Sequence, residues 1–421
     1  MVSHKSKKNR TTTRKNNTKK SKIEKYKEDA KNGDADAQYN LGQLLRKGDG
    51  VKKNDKEALR LYRLSAKQGN APAQNTLGFM FEEGIGTKKN NREAVRFYRL
   101  AAKQGYAAAQ NNLGMMFHYE QGVKRNYKEA MRLYRLAAKQ GYTKSQFHLA
   151  AMFYYGRGVK RNYKEAVRLY RLAAKQGHAR AQNSLGFMID NGQGVKCNYK
   201  EAAKYYRLAA KQGHAKANNN LGLLYESGHG VRHNYKKAVK YYSLAAKQGN
   251  VDGENNLGRM YEYGTGVRRN YKKAATHYRL SAKKGSIYAE NNLGNLYENG
   301  KGVRRNYKEA LRLHRISAKK GNIYAENNLG NMYENGKGVK RNYKEALRLH
   351  RISAKKGNIY ANHNLGVMYE KGHGVTQNKK EAKRLFRLAA KSPRKKVCNP
   401  RTKSKTRTKS KTRTKTRTKR K

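Results

Sequence analysis

A pattern of 36 residues recurs ten times without insertion or deletion, and it limits the fold before any other property of the chain is considered. A Leu-Gly pair marks each copy, at Leu41, Leu77, Leu113, Leu185, Leu221, Leu257, Leu293, Leu329 and Leu365, with Leu149-Ala150 in the fourth. The stretch from Ala109 to Gly141 shows the pattern: AQNNLGMMFHYEQGVKRNYKEAMRLYRLAAKQG. Self-similarity at this period is the signature of a solenoid. One repeat cannot bury its apolar face alone, but stacked neighbours share a continuous core. The expected fold class is therefore an all-α superhelix of helix-loop-helix repeats.

Within a repeat the first helix, A, is predicted over 107–119. Ala109, Leu113, Met116 and Phe117 fall on one face at i, i+4, i+7 and i+8, the spacing of an amphipathic helix. Gly114 recurs beside them, although a helical glycine costs roughly 1 kcal/mol against alanine. Close approach of two helix backbones is the expected reason, and Ala150 as its substitute agrees with that. A Gly-x-Gly-Val loop follows, as in Gly156, Gly158 and Val159, and the valine is expected to plug the core. Glu120 replaces the first glycine in repeat three, which predicts a strained or altered turn there. A phosphate loop is discounted, because no Gly-Lys-Ser/Thr follows and no strand precedes. The second helix, B, opens on Asn126 with Glu129 three residues on, the spacing of a capping box. Lys237 and Lys273 stand at the glutamate position in repeats six and seven, which predicts loss of the reciprocal bond. Tyr127, Ala130, Tyr134, Ala137 and Ala138 make its buried face, Gly141 ends it, and Pro393 stops the last copy.

The domain plan has four parts: a basic tail over 1–22, a possible capping helix over 23–32, the repeats over 33–392, and a second basic tail over 393–421. Neither tail has an apolar period, so both are expected to be disordered. The chain carries 98 Lys+Arg against 28 Asp+Glu, a net charge of +70. That is far beyond what solubility requires and points to a polyanion or an acidic protein as partner. Cys197 and Cys398 suggest no disulfide framework. No secretory h-region and no run of about 18 apolar residues is present, so the expectation is an intracellular, non-secreted protein. The cluster Arg394, Lys395, Lys396 after Ser392-Pro393 is similar to the tails of linker histones and leaves nuclear targeting open. No catalytic, cofactor or metal constellation is recognised: His229 and His233 lack a third ligand, and no carboxylate pair converges. The chain reads as non-enzymatic.

The recurring A-x-A-x-x-x-L-G-x-x-Y-x-x-G-x-G-V-x-x-N-x-x-E-A resembles the Sel-one-like repeat family, a relative of the tetratricopeptide repeat. Ala289, Leu293, Gly294, Tyr297, Gly300, Gly302, Asn306, Ala310, Ala318 and Gly321 carry the match in one copy. The resemblance implies a right-handed α/α superhelix and a scaffold or adaptor that binds protein or peptide segments in a concave groove lined by helix A. His314 and His350 depart from the family's large aromatic on helix B, which predicts looser packing in repeats eight and nine.

Two surfaces follow from the helical period. On helix A the positions opposite the core give Asn75, Phe79, Asn111, Met115, Asn183, Phe187, Asn219, Leu223, Asn255, Asn291, Asn295, Asn327 and Asn331, with acids such as Glu82, Glu226 and Glu334 a turn later. An asparagine ladder both donates and accepts and would suit an extended peptide. On helix B the outward positions read Lys128, Arg132, Arg135 and Lys139, and recur as Arg168 and Arg171, Arg312 and Arg315, Arg348 and Arg351; only Ser243 and Thr276 break the basic register. A ribbon of this kind would contact phosphates without reading sequence, so nucleic acid is the alternative partner.

Overall fold

The computed structural model describes residues 20–390, so the expectations for Arg394, Lys395, Lys396 and the tails beyond these limits lie outside the described residues. A helix, α1, occupies 20–31. Twenty more follow, two per repeat. Helix A is α2 (Ala35–Lys47), α4 (Ala71–Glu83), α6 (Ala107–Tyr119), α8 (Thr143–Tyr155), α10 (Ala179–Asp190), α12 (Ala215–Ser227), α14 (Val251–Tyr263), α16 (Ile287–Asn299), α18 (Ile323–Asn335) and α20 (Ile359–Lys371). Helix B is α3 (Asp55–Lys67), α5 (Asn91–Lys103), α7 (Tyr127–Lys139), α9 (Tyr163–Lys175), α11 (Tyr199–Lys211), α13 (Tyr235–Lys247), α15 (Tyr271–Lys283), α17 (Tyr307–Lys319), α19 (Tyr343–Lys355) and α21 (Lys379–Ala390). The described residues contain no strand.

The chain divides into two compact units. One holds residues up to Ala289 with Lys301–Val303; the other holds Glu290–Gly300 and residues from Arg304 on. In the first unit each helix packs on the next in sequence order from α2 to α15; in the second the same holds from α17 to α21. Each is a stack of helix pairs, the α/α solenoid arrangement that nearest-neighbour burial requires.

The recurrent helix A glycine makes room first for a ring, and at Gly186 and Gly258 also for the helix B backbone, whose Ala202 O and Ala274 O would lie 3.3 Å from a Cβ. A Cβ on Gly114 would lie 2.8 Å from Tyr134 Cε1, and one on Gly222 would lie 2.4 Å from the ring of Tyr242. These tyrosines are fully buried and fill the centre of each pair. His314 and His350 take the same seat against Gly294 and Gly330. The expectation of looser packing there is corrected: both imidazoles are fully buried, and each Nδ1 lies within hydrogen-bond distance of an asparagine oxygen, 3.1 Å from Asn291 and 3.0 Å from Asn327.

The loop glycines do two different jobs. Gly156 is left-handed and caps α8, its N–H donating to Met152 O. Glu120 adopts the same left-handed conformation (φ 61°, ψ 42°), and its N–H donates to Met116 O. The turn of repeat three is therefore unaltered and carries a non-glycine residue at about 1 kcal/mol of local strain. The second glycine touches the preceding repeat: a Cβ on Gly158 would lie 2.6 Å from Tyr127 Cβ, and one on Gly122 would lie 2.4 Å from Asn91 O. The following valines, Val123 and Val159 among them, pack on the core.

The helix B cap is also rearranged relative to the sequence expectation. Asn126 Oδ1 accepts from Glu129 N at 3.0 Å, as an N-cap should. The asparagine N–H, however, donates back to Phe117 O of α6 at 3.1 Å. That leaves the glutamate free for Arg132, whose Nε and Nη2 reach its two oxygens at 2.9 and 2.7 Å. Repeats six and seven keep the cap without the acid: Asn234 and Asn270 accept from Lys237 N and Lys273 N.

Candidate interaction surfaces

The helix A row divides by depth. Asn111, Asn219, Asn291 and Asn327 are buried, and Asn75, Asn183, Asn255, Asn295, Asn331 and Met115 are half-buried. Most of these amides are committed to the neighbouring repeat. Asn75 Oδ1 accepts from Asn112 Nδ2 at 3.0 Å, Asn183 from Asn220 at 3.1 Å, and Asn219 from Asn256 at 2.9 Å. Asn111 Oδ1 instead accepts from Ser145 Oγ at 3.1 Å. In the second unit Asn328 Nδ2 donates to both Asn291 and Asn295, and Asn364 Nδ2 to both Asn327 and Asn331. The ladder joins repeats to one another. A register of 36 predicted its existence but not its partner, because the residue that completes it lies one position on, in the next copy.

The acids of this row are engaged as well. Tyr98 Oη donates to Glu82 at 2.7 Å, Tyr242 to Glu226 at 2.6 Å, Tyr278 to Glu262 at 2.6 Å and Tyr206 to Asp190 at 3.2 Å. Burial and the facing carboxylate together push each phenol far above its ordinary range. Burial also opposes ionisation of Glu226, but Arg259, bidentate at 2.6 and 2.7 Å, holds it below the usual carboxylate range. The sequence reading had placed these acids in the solvent stripe.

Apolar and aromatic side chains also remain open on helix A. Phe79, Phe187 and Leu223 are exposed, as are Tyr119, Tyr155 and Tyr263 at the helix ends. In repeats four to seven a cleft of about 370 Å³ is bordered by Tyr154, Tyr155, Phe187, Asn219 and Asp252. A second, of about 230 Å³, shares Tyr155, Asn183, Ser184 and Lys216 with it and reaches back to His118.

Helix B presents the basic register at the surface, but unevenly. Lys128, Arg135 and Lys139 are exposed. Arg132, Arg168, Arg312 and Arg348 are exposed too, yet each is paired with the glutamate three residues before it at 2.6–2.7 Å, as are Arg60, Arg96 and Arg384 at 2.6–2.9 Å. Arg171 is half-buried, 3.7 Å from Glu201. Arg315 and Arg351 donate to Tyr333 and Tyr369 hydroxyls at 2.8 and 2.6 Å. Between the charges lies a feature the charge pattern hid: Leu64, Leu100, Leu136, Leu172, Leu208, Leu244 and Leu280 are all exposed at one register position. A cleft of about 620 Å³ holds Leu100 and Leu136 between Arg99 and Arg132.

Among the described residues no group of three or more His, Cys, Asp or Glu side chains is placed to hold a metal ion, and no helix is long and apolar enough to cross a membrane.

The Sel1 repeat pattern matches the chain ten times in succession: 35–70, 71–106, 107–142, 143–178, 179–214, 215–250, 251–286, 287–322, 323–358 and 359–392. Among solved structures, c5321, a protective antigen of uropathogenic Escherichia coli with an SLR fold, is similar at 34% identity over 87% of this chain and 79% of that one, with a TM-score of 0.73. A Sel1 repeat protein from Oxalobacter formigenes is similar at 31% identity over 59% of this chain and 98% of that one, with a TM-score of 0.54. No curated protein matches. Ten matches in register over 35–392 place the chain in the Sel1 repeat family.

Proposed function

We propose that the chain is a non-enzymatic scaffold that binds protein segments along its helix A row, chiefly in repeats two to six. The observation that carries this reading is the row of exposed Phe79, Phe187 and Leu223, of which Phe187 lines the 370 Å³ cleft. Exposed aromatics rimmed by polar groups are the usual composition of an interface, and solenoids present extended binding faces. The asparagine ladder supports this surface structurally by fixing the spacing of adjacent repeats. Binding energy comes from the apolar side chains, not from the amides. The test is to isolate a partner from nuclease-treated lysate and measure its affinity for the intact chain, for Phe187→Asp/Leu223→Asp, and for Arg132→Glu/Arg168→Glu. The first double variant is expected to weaken binding by at least about tenfold. Equal loss in both would remove the preference for helix A.

A second reading is contact between helix B and nucleic acid or another polyanion. Exposed Lys128, Arg135 and Lys139 favour it. The Arg–Glu pairs weaken it, because the Arg132 row is already neutralised on its own helix. On this reading Glu129→Gln and Glu165→Gln free two guanidinium groups, and affinity for random-sequence DNA should rise.

A further inference from the structure

Repetition explains what the ten copies share; the places where copies three to six depart from the pattern are unexplained by it, and they converge. Near its C-terminus helix A carries an acid at one register position in most repeats, as at Glu82, Asp190, Glu226, Glu262, Glu298 and Glu334, but Arg46 in repeat one and His118 and Tyr154 in repeats three and four. The second residue of helix A is Asp, Pro, Ala or Tyr in the other copies, but Lys144, Arg180 and Lys216 in three consecutive ones. A cation in the first turn opposes the helix dipole, so helix stability does not account for the three. All three are exposed.

Three of these departures, His118, Arg180 and Lys216, border the 230 Å³ cleft. Arg157, Arg180 and Lys216 line it together with Tyr119, Tyr155 and His118, and none of its lining residues is acidic. Arg157 stands over the Tyr155 ring at 5.1 Å, and Arg180 over Phe147 at 4.8 Å. In the wall of the cleft His118 is only 7% exposed. Its Nε2 lies 3.0 Å from Arg157 Nη1. A guanidinium can only donate, so Nε2 accepts and the ring proton sits on Nδ1. That Nδ1 is buried and has no hydrogen-bond partner. Tyr134 Oη, 6.4 Å away ring to ring, is likewise buried and unpartnered, because the acid that receives its counterparts is missing here. Burial first, and the neighbouring cations second, depress both His118 and His148, the latter to about 4. The imidazoles therefore stay neutral donors at physiological pH, while three exposed cations border a cleft with no acid among its lining residues.

We propose that this cleft binds an oxyanion, a phosphate or carboxylate, carried by a side chain of the partner segment, with Arg157, Arg180 and Lys216 supplying charge and His118 lining the pocket floor. Charged hydrogen bonds from guanidinium to oxyanion are the strong class, and a planar or apolar neighbour of the anion would enter the adjoining 370 Å³ cleft beside Phe187. The attachment of the anion to a protein segment rests on the scaffold reading above; the anion site itself does not.

The test uses full-length chain labelled at histidine, with the His118 and His148 ring resonances identified through His118→Gln and His148→Gln. Inorganic phosphate is expected to move both resonances along one saturating curve. Arg180→Gln/Lys216→Gln should weaken that curve by about tenfold or more, while Arg132→Gln/Arg168→Gln on helix B leaves it within about twofold. Unmoved resonances, or equal weakening by the two double variants, would mean diffuse attraction to a chain of +70 and would overturn the site. A phosphoserine heptapeptide with an apolar flank then separates the sources. Tighter binding than phosphate, lost in Phe187→Asp, assigns the anion to a partner segment. Equal affinity, indifferent to Phe187, keeps the oxyanion site and overturns its link to a partner segment.

Discussion

His314 shows how a single position couples packing to pH. It occupies the seat of a core tyrosine, fully buried, and burial pushes its pKa down to about 4. The unfolded chain, with an ordinary histidine near 6.5, binds more protons than the folded one between those limits. Stability from this residue is therefore complete above about pH 6.5 and is lost as the pH falls toward 4, by up to roughly 3 kcal/mol. His314→Tyr should restore the seat used in repeat seven and reduce the drop in melting temperature between pH 7 and pH 5. An unchanged drop would show that His314 is not buried as a neutral ring. At Glu120 the left-handed backbone predicts that Glu120→Gly raises the urea midpoint, by about 1 kcal/mol of relieved strain, less the small contribution of its exposed pair with Arg125 at 3.0 Å.

At the scale of the element, the loop separates capping from docking. Gly156 and Gly158 share a left-handed φ of 72° and 71°, but a Cβ on the first comes no nearer than 3.5 Å to Arg161 and Val159 O of its own loop, whereas one on the second meets Tyr127 of the preceding repeat at 2.6 Å. Gly156→Ala should cost about 1 kcal/mol, and Gly158→Ala about 2–4 kcal/mol, as read by urea unfolding. Equal costs would mean that the second glycine serves its own turn alone. This difference also marks what the sequence could tell. Helix placement was legible because Leu113, Met116 and Tyr134 repeat with a helical period and Asn126 announces the cap. The role of Gly114 was misassigned because a recurring glycine signals closeness without naming the neighbour, here a ring. The helix A asparagines were read as an open ladder for a peptide because a single-helix projection cannot see that Asn75 meets Asn112 of the next copy or that Glu82 meets Tyr98 sixteen residues on. The oxyanion cleft was invisible for the same reason: His118, Arg157, Arg180 and Lys216 come from four consecutive repeats.

Across the whole molecule, charge is a large unfavourable term. Exposed bases line successive B helices, and packed helices sit roughly 8–10 Å apart, close to a Debye length at moderate salt. Added salt should therefore raise the melting temperature by screening repulsion between repeats; a fall would mean that the Arg–Glu pairs outweigh it. The division of labour between faces is the central claim: the helix A row, chiefly in repeats two to six, is proposed to hold the ligand, and helix B carries the basic register. It is tested most directly by a photoreactive phenylalanine analogue placed singly at Phe187, Leu223, Arg135 or Lys175, with crosslinking to a purified partner at physiological salt after nuclease treatment. The account predicts crosslinks from Phe187 and Leu223 and none from Arg135 or Lys175. Crosslinks confined to Arg135 and Lys175 would contradict it.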